Sequence, residues 1–422
     1  MPLSPTAIRL AVAVATLFAT TLSYAQDTPK TSQESAFRMR GHAELDFASE
    51  HNFNLDRTEH EDFTILEPEL RLRLGYVPHP FIQLIGQMRL RRKLDLHYED
   101  REKDRDWALE LEELYFASVS RSTEYRLFLG RTEFKDSREW LYDMNLDGVR
   151  VFFAVPGVRI DASLTRLNFY SDDLFAERVD EPIANAHVYA AYALPNDGFA
   201  AAYWFMQDDR RTHDEQIHYI GLRSGGEPRK GFVYWAELMH VLGDFEEQKL
   251  SSTGFDVGFH YEFKGKLRPY PILGYAFGTG DNSPDDGTNQ NFRQTGYQDN
   301  NGRFGGVARY KYYGELFEPD LSNMGIATAG MGIRPWKRTS FDVVYHHYKQ
   351  HYASDEILRT NIDADPDGMH TYLGEEINFV IGFREIKNLR AEAIAAWFFP
   401  GSAFDPSADY AFYSGIEFRY LY

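Results

Sequence analysis

Apolar and polar residues alternate along most of this chain with a period of two. In "AFRMRGHAELDF" (36–47), Phe37, Met39, Ala43, Leu45 and Phe47 hold one parity, and Arg38, Arg40, His42, Glu44 and Asp46 the other. "TILEPELRLRLGY" (64–76) sets Leu66, Leu70, Leu72, Leu74 and Tyr76 against Glu67, Glu69, Arg71 and Arg73. "GFDVGFHYEF" (254–263) sets Phe255, Val257, Phe259, Tyr261 and Phe263 against Asp256, His260 and Glu262. Successive side chains of a strand point to opposite faces, so each stretch predicts a strand with one apolar and one charged face. A soluble sandwich alternates too, but its strands are usually shorter. Many runs here last 10–14 residues, enough to cross a bilayer at a tilt. The final stretch, "FYSGIEFRYLY", aligns Phe412, Ile416, Phe418, Tyr420 and Tyr422 on one face and resembles the closing strand of an outer-membrane barrel.

The connections alternate in length. Short ones lie at 77–80, 120–123, 155–157, 194–198, 225–229, 263–268, 334–340 and 384–388. Long polar ones lie at 48–62, 93–106, 135–145, 171–183, 209–214, 244–252, 280–320, 353–370 and 400–409. Eight short turns and nine long loops predict an all-β fold: an 18-stranded antiparallel transmembrane β-barrel with short periplasmic turns and long extracellular loops. One alternating segment is left over. In "RFGGVARYKYY" (303–313), Arg303, Arg309 and Lys311 share one parity, and Phe304, Ala308, Tyr310 and Tyr312 share the other. Making it a spanning strand would put every later turn on the wrong side, so it belongs to the seventh external loop, folded toward the lumen.

Composition supports this picture. Aromatic residues reach 15%, with no cysteine. Residues 1–25 read as a secretory signal peptide, with Arg9, an apolar run over 10–22 and the small-x-small "SYA"; residues 26–422 form the barrel. No later segment approaches the apolar length of a transmembrane helix. The formal charge of −19 argues against nucleic acid as a partner. Bacterial outer-membrane lipid and lipopolysaccharide are the surroundings expected of such a barrel.

Against this acidic background, strand parity points Arg71, Arg73, Arg89, Arg91, Arg150 and Arg159 inward. Arg131 and Arg138 sit near the external end of a strand and its loop, and Arg303, Arg309 and Lys311 join them if the seventh loop folds in. Guanidinium groups match carboxylates in shape, and a lumen with low-dielectric walls focuses their field. Two readings stand side by side. The cations line a path for a polyanion, or they pair with inward acids such as Glu67, Glu69, Asp161, Glu237 and Glu376 and the fields cancel. "NIDADPDG" spaces Asp363, Asp365 and Asp367 like the start of a calcium loop, but the twelfth position is Gly374 and Glu375 falls one residue late; a solvated acidic turn is the other reading. "YHHYKQHY" (345–352) reads as aromatic girdle, because adjacent His346 and His347 point to opposite faces. No cofactor motif and no catalytic signature appears.

Two stretches resemble the alginate-export outer-membrane porin family. "YRLFLGRTEFKDSREWLYDMNLDGVRVFF" (125–153) looks like a strand–loop–strand of that family, and 269–348 carries GYA-x-G-x-GD, FRQTG-x-QDN, RF-x-GV and YYGEL-x-x-P-x-LSN in order. "YLGEEINFVIGF" (372–383) and "FFPGSAF" (398–404) continue it. The resemblance implies export of the acidic polysaccharide alginate through a basic constriction partly built by loops, with Arg131, Arg303, Arg309 and Lys311 at matching basic positions. It implies an anionic polysaccharide and periplasmic polysaccharide-secretion components as partners. At 397–404 this chain reads "WFFPGSAF" where further arginine would be expected. That leaves another acidic polymer, or uptake of sugar-acid oligomers, as alternatives; a hydrolase or lyase at the barrel rim is the rival from another class.

Overall fold

The computed structural model describes residues 36–58, 62–98, 107–120, 125–171, 173–175, 183–196, 198–209, 215–245 and 248–422. The leader reading of residues 1–25 lies outside them. Eighteen strands make the wall: β1 Ala36–His51, β2 Asp62–His79, β3 Ile82–Arg92 (continued by Leu94–Tyr98), β4 Trp107–Val119, β5 Tyr125–Lys135, β6 Asp143–Val155, β7 Val158–Arg166, β8 Ile183–Ala193, β9 Phe199–Asp209, β10 Glu215–Arg229, β11 Phe232–Phe245, β12 Gln248–Tyr261, β13 Tyr270–Gly278, β14 Met324–Trp336, β15 Thr339–Gln350, β16 Tyr372–Phe383, β17 Leu389–Pro400 and β18 Ala411–Leu421. Each pairs antiparallel with the next, and β18 closes on β1 with Glu44 opposite Arg419 and Phe47 opposite Ile416. Closure leaves the wall without a free edge, as a bilayer-spanning sheet requires.

The alternation becomes an outside and an inside. Phe37, Tyr76, Tyr125, Phe153, Tyr192 and Trp336 stand exposed at the short-turn end, with Trp107 and Phe399 toward the other. These are the aromatic girdles of a lipid-facing surface. The inner face is not uniform. From β9 to β16 the inward residues are buried, as in Thr339–Gln350, where Ser340, Asp342, Val344, His346, Tyr348 and Gln350 are covered. From β1 to β3 most inward residues stay half-exposed or exposed, Glu69 being buried. The lumen is therefore filled on one side and open on the other.

Two loops do the filling. Loop three (136–142) and loop seven (279–323) fold inward, and Phe292, Phe304, Tyr310, Tyr312, Tyr313, Leu316, Phe317 and Leu321 are buried against the wall. The segment 303–313 is not a spanning strand. Only Tyr310–Lys311 pairs, with Asn301–Gly302 of the same loop. Its two faces survive: Phe304, Ala308, Tyr310 and Tyr312 are buried, and Arg303 is exposed to the lumen.

Three boundaries differ from the sequence reading. The stretch 244–252 is largely ladder, with Asp244 opposite Lys249 and Phe245 opposite Gln248. Above the membrane both faces meet water, so alternation disappears while the backbone hydrogen bonds continue. The turn expected at 225–229 sits at Lys230–Gly231, after a register shift between Gly226 and Arg229. The girdle assigned to 345–352 splits by parity. Tyr345 and His347 face outward, but His346 is buried beside Thr328 and Tyr348 is buried under loop seven, its hydroxyl donating to the Tyr313 carbonyl at 2.9 Å.

Candidate conduction path

Loop seven starts at the extracellular end and reaches nearly to the periplasmic one. The Val307 N–H donates to Ser340 Oγ at 2.9 Å and the Arg309 N–H to Glu392 at 3.0 Å. Ser340 and Glu392 lie one and three residues into strands that begin at periplasmic turns. Two glycines permit the descent. A Cβ on Gly278 would sit 1.9 Å from the Leu321 carbonyl oxygen, where the two ends of the loop cross. Gly314 has φ +104, and a side chain there would strike the Tyr348 hydroxyl and the Glu376 carboxylate. Glu376 receives the Leu316 and Phe317 N–H groups at 3.1 and 2.9 Å, so a wall carboxylate replaces the missing backbone partners of the loop.

Loop three braces it. Trp140 Nε1 donates to the Tyr313 hydroxyl at 2.7 Å, and that hydroxyl donates to Asp256 at 3.1 Å. Arg138 donates to Asp256 at 2.7 Å and lies over the rings of Trp235 and Tyr312. Asp136 accepts N–H bonds from Arg138 and Leu141 and faces Arg223; burial opposes its charge, but Arg223 and these bonds outweigh it and lower its pKa. Glu139 is fully buried with φ 53, and its carbonyl accepts the N–H groups of Asp299 and Asn300. A non-glycine residue held in that region marks a constrained position. Its carboxylate meets Arg309 of loop seven and Lys135, the latter at 2.6 Å.

Opposite the loops, β17, β18 and β1–β4 present interleaved arginine and carboxylate. Arg71 faces Glu69 and Glu112, Arg73 faces Glu113, and Arg89 and Arg91 share Glu110. Arg419 bonds Glu44, and Arg384 bonds Glu392. The partners are not equally wet. The Arg73 side chain is 37% exposed against 6% for Glu113, and Arg89 29% against 10% for Glu110. Arg309 is 34% exposed and its partner Glu139 1%. The carboxylates lie beneath and the guanidinium groups face the lumen. Arg71 stands directly opposite Arg89, and Arg390 opposite Arg419. Such like-charge neighbours are unfavourable in a sheet unless acids sit between them.

Eight of the candidate cations thus occupy four settings. Arg71, Arg73, Arg89 and Arg309 are paired but face water. Arg131 is buried in a pair with Asp147, and Arg150 is half-buried in a pair with Asp161, each at 2.7 Å. Lys311 bridges Asp299 and Glu318; burial works against its charge, but the two acids outweigh it and raise its pKa. Arg303 is exposed and has no ion pair among the described residues. Partial burial, then the like charges of Arg384 and Arg390, lowers its pKa. Parity in "LRAEAIAAW" and "GIEFRYLY" carried the signal for Arg390 and Arg419, which the sequence reading did not select. Arg38 and Arg40 continue the series, exposed and without an ion pair among the described residues.

Two cavities mark the space left. One of about 860 Å³ opens toward the extracellular loops and is lined by Arg71, Arg89, Arg293, Tyr297 and Arg359. Another of about 830 Å³ lies above the turns at 155–158 and 194–198, lined by Arg150, Arg159 and Tyr192. Lys135 lines both, and its ion pairs to Glu139 and Asp143 stand between them.

Asp363, Asp365 and Asp367 do not form one of the carboxylate groups that converge among the described residues. Asp367 instead accepts the Met369 and His370 N–H groups and the His370 ring, and these bonds lower its pKa to about 2. At 397–404 the aromatic residues have a structural role: Phe398 stacks on Phe317 of loop seven at 4.7 Å.

A family model described as alginate export matches residues 35–413. The chain is 24% identical over 197 residues to the alginate production protein AlgE of Pseudomonas aeruginosa, a match covering 40% of this chain and 39% of that protein. Among solved structures it is similar to OccK5 (OpdH) of Pseudomonas aeruginosa, with TM-score 0.59, 11% identity and coverage of 91% of this chain and 97% of that one. OccAB3 of Acinetobacter baumannii gives TM-score 0.58 at 9% identity, covering 91% and 99%. OpdK of Pseudomonas aeruginosa, solved with vanillate, gives 0.58 at 13%, covering 91% and 98%. At these identities the structural likeness shows the fold.

Proposed function

The chain belongs to the alginate export family, and from that premise we propose that this outer-membrane porin passes an anionic exopolysaccharide, alginate foremost, by diffusion along its arginine wall. The observation that carries the reading is the inequality within the wall pairs. If arginine and glutamate were equally exposed, their fields would cancel at the lumen surface. With the carboxylates buried beneath, the wet surface is guanidinium. A polymer carboxylate entering there exchanges with an existing partner rather than filling an empty site. Binding is then weak and repeated, which conduction needs. Loops three and seven narrow the lumen, so the polymer passes beside the wall and not through an open centre. The acidic external loops, with Asp285, Asp286, Asp363, Asp365 and Asp367, repel the emerging chain and oppose its return.

Reversal potentials in a planar bilayer under a KCl gradient test this. Anion selectivity, with current blocked by polymannuronate and both weakened in a combined Arg71→Ala, Arg89→Ala variant, is the expected result. Cation selectivity, or block indifferent to both substitutions, would sink it.

A second reading, uptake of sugar-acid oligomers, is favoured by the two bounded cavities in series, each of a size for a few sugar units. Liposome swelling separates them: entry of short uronate oligomers without block by the polymer supports uptake.

A further inference from the structure

Among the described residues, the lysines of the periplasmic rim all lie on one side, while arginines such as Arg38, Arg126 and Arg159 stand at strand ends elsewhere. Four consecutive turns, β10–β11, β12–β13, β14–β15 and β16–β17, carry Arg229 and Lys230, then Lys264, Lys266 and Arg268, then Lys337 and Arg338, then Arg384 and Lys387. Most of these side chains are exposed. The turns at 80–81, 156–157 and 194–198 hold no lysine or arginine among their described residues. The acids near the basic turns are engaged locally. Glu227 accepts the Gly231 N–H, Glu262 bonds Arg334, and Glu385 accepts the Arg338 N–H and the Thr339 hydroxyl. Lys230, Lys264, Lys266, Lys337 and Lys387 have no ion pair among the described residues.

This crescent lies under the half of the lumen that loop seven seals, so it does not border the open path for most of its length. It meets the path at one end. From Lys387 the cations continue inward through Arg384, which bonds Glu392, and Arg390, which stands opposite Arg419; Glu392 in turn accepts the Arg309 N–H of loop seven, the segment that carries Arg303. We propose that the crescent is a capture surface for the anionic polymer, which binds along the four turns from the periplasm and is fed at Arg384 and Arg390 into the lumen. The inference rests on the transport reading above and adds where the polymer is first held. Anchoring to phospholipid headgroups is the competing use of rim lysines. The observations favour capture, because lipid surrounds the whole barrel while the lysines gather on four consecutive turns and the cations run on into the pore. A uronate polymer carries a carboxylate on each sugar, so several ammonium groups spread over four turns engage one chain at once and raise its local concentration.

The test is asymmetric block. The full-length protein is inserted with known orientation, and polymannuronate is added to either side at low and at high salt. The variant replaces Lys264, Lys266, Lys337 and Lys387 together with glutamine. These residues stand on exposed turns, and single-channel conductance in KCl reports an intact pore. Removing four cations should lower the rate of blockade from the periplasmic face by about tenfold at low salt, with the difference shrinking as the Debye length shortens. Blockade from the extracellular face should not change. If wild type is blocked but the variant is captured equally well from the periplasm, the inference is overturned and the lysines serve lipid or solubility. Equal loss on both faces also overturns it, since a general field would explain that. If wild type is blocked from neither face, the transport reading itself fails and the inference falls with it.

Discussion

Arg303 and Glu139 mark the two ways a charged residue is used in this lumen. Arg303 is exposed on loop seven and has no ion pair among the described residues; partial burial and Arg384 weigh against its charge, with Glu392 compensating in part. Arg303→Ala should therefore reduce the anion-to-cation permeability ratio by about two- to threefold, since one nearby charge alters a confined potential by roughly kT; bi-ionic reversal potentials measure it. Glu139 is buried, left-handed and tied to Arg309 and Lys135, so it fixes position instead. Glu315 adds a pH dependence. Burial pushes its carboxyl up to about 8 from 4.5, against the lowering effect of the Lys311 N–H and ammonium. Between those values the folded protein holds a proton that the unfolded chain has released. The contribution is full below 4.5 and is lost as pH rises through about 8. Protection of loop-seven amides relative to their base-catalysed intrinsic exchange should fall over that window, and Glu315→Gln should flatten that fall.

At the scale of the element, loop seven is a docked body rather than a flexible plug. Its anchors are the Phe317–Phe398 stack, the Glu376 carboxylate and the buried Arg138–Asp256–Tyr313 network. Arg138→Ala leaves Asp256 buried without its cation, a change that costs about 3–5 kcal/mol in comparable cases. Loop seven should then exchange amide protons faster, with the barrel ladder unaffected. Phe398→Ala removes a fully buried ring, which costs about 3–5 kcal/mol in well-packed cores. Its expected signature is larger, noisier single-channel current. Unchanged current would show that the loop is held without the stack. The family motif in 312–323 makes physical sense on the same grounds, because Gly314 is the point where the backbone passes the Tyr348 hydroxyl.

Over the whole molecule, charge is sorted along the axis. Among the described residues lysine collects on half of the periplasmic rim, guanidinium lines the open wall, and aspartate crowds the extracellular loops. The net charge of −19 hides this arrangement. Neutralising Asp285, Asp286, Asp363, Asp365 and Asp367 together should raise the rate of polymer block from the extracellular face, most at low salt. Block that stays the same would remove any role for the outer acids in directing the polymer.

The strand count, the lipid face and the lumen face were legible because a barrel strand meets two different solvents, and alternation at period two records them locally. Arg390 and Arg419 were as legible as Arg71, since parity alone assigns them. The inward fold of 303–313 was legible from strand parity, and its basic and aromatic faces from alternation. Sequence left two readings of the arginines, free or paired, because pairing depends on which strands become neighbours and which atoms reach water. Only the tertiary structure decided that the carboxylates lie beneath and the arginines above, that Arg131 is buried, and that loop three meets loop seven at Glu139. Those facts depend on contacts between nearby strands and, for Glu139 and Arg309, between loops more than a hundred positions apart, where solvent exposure is set by packing and leaves no periodic trace in the chain.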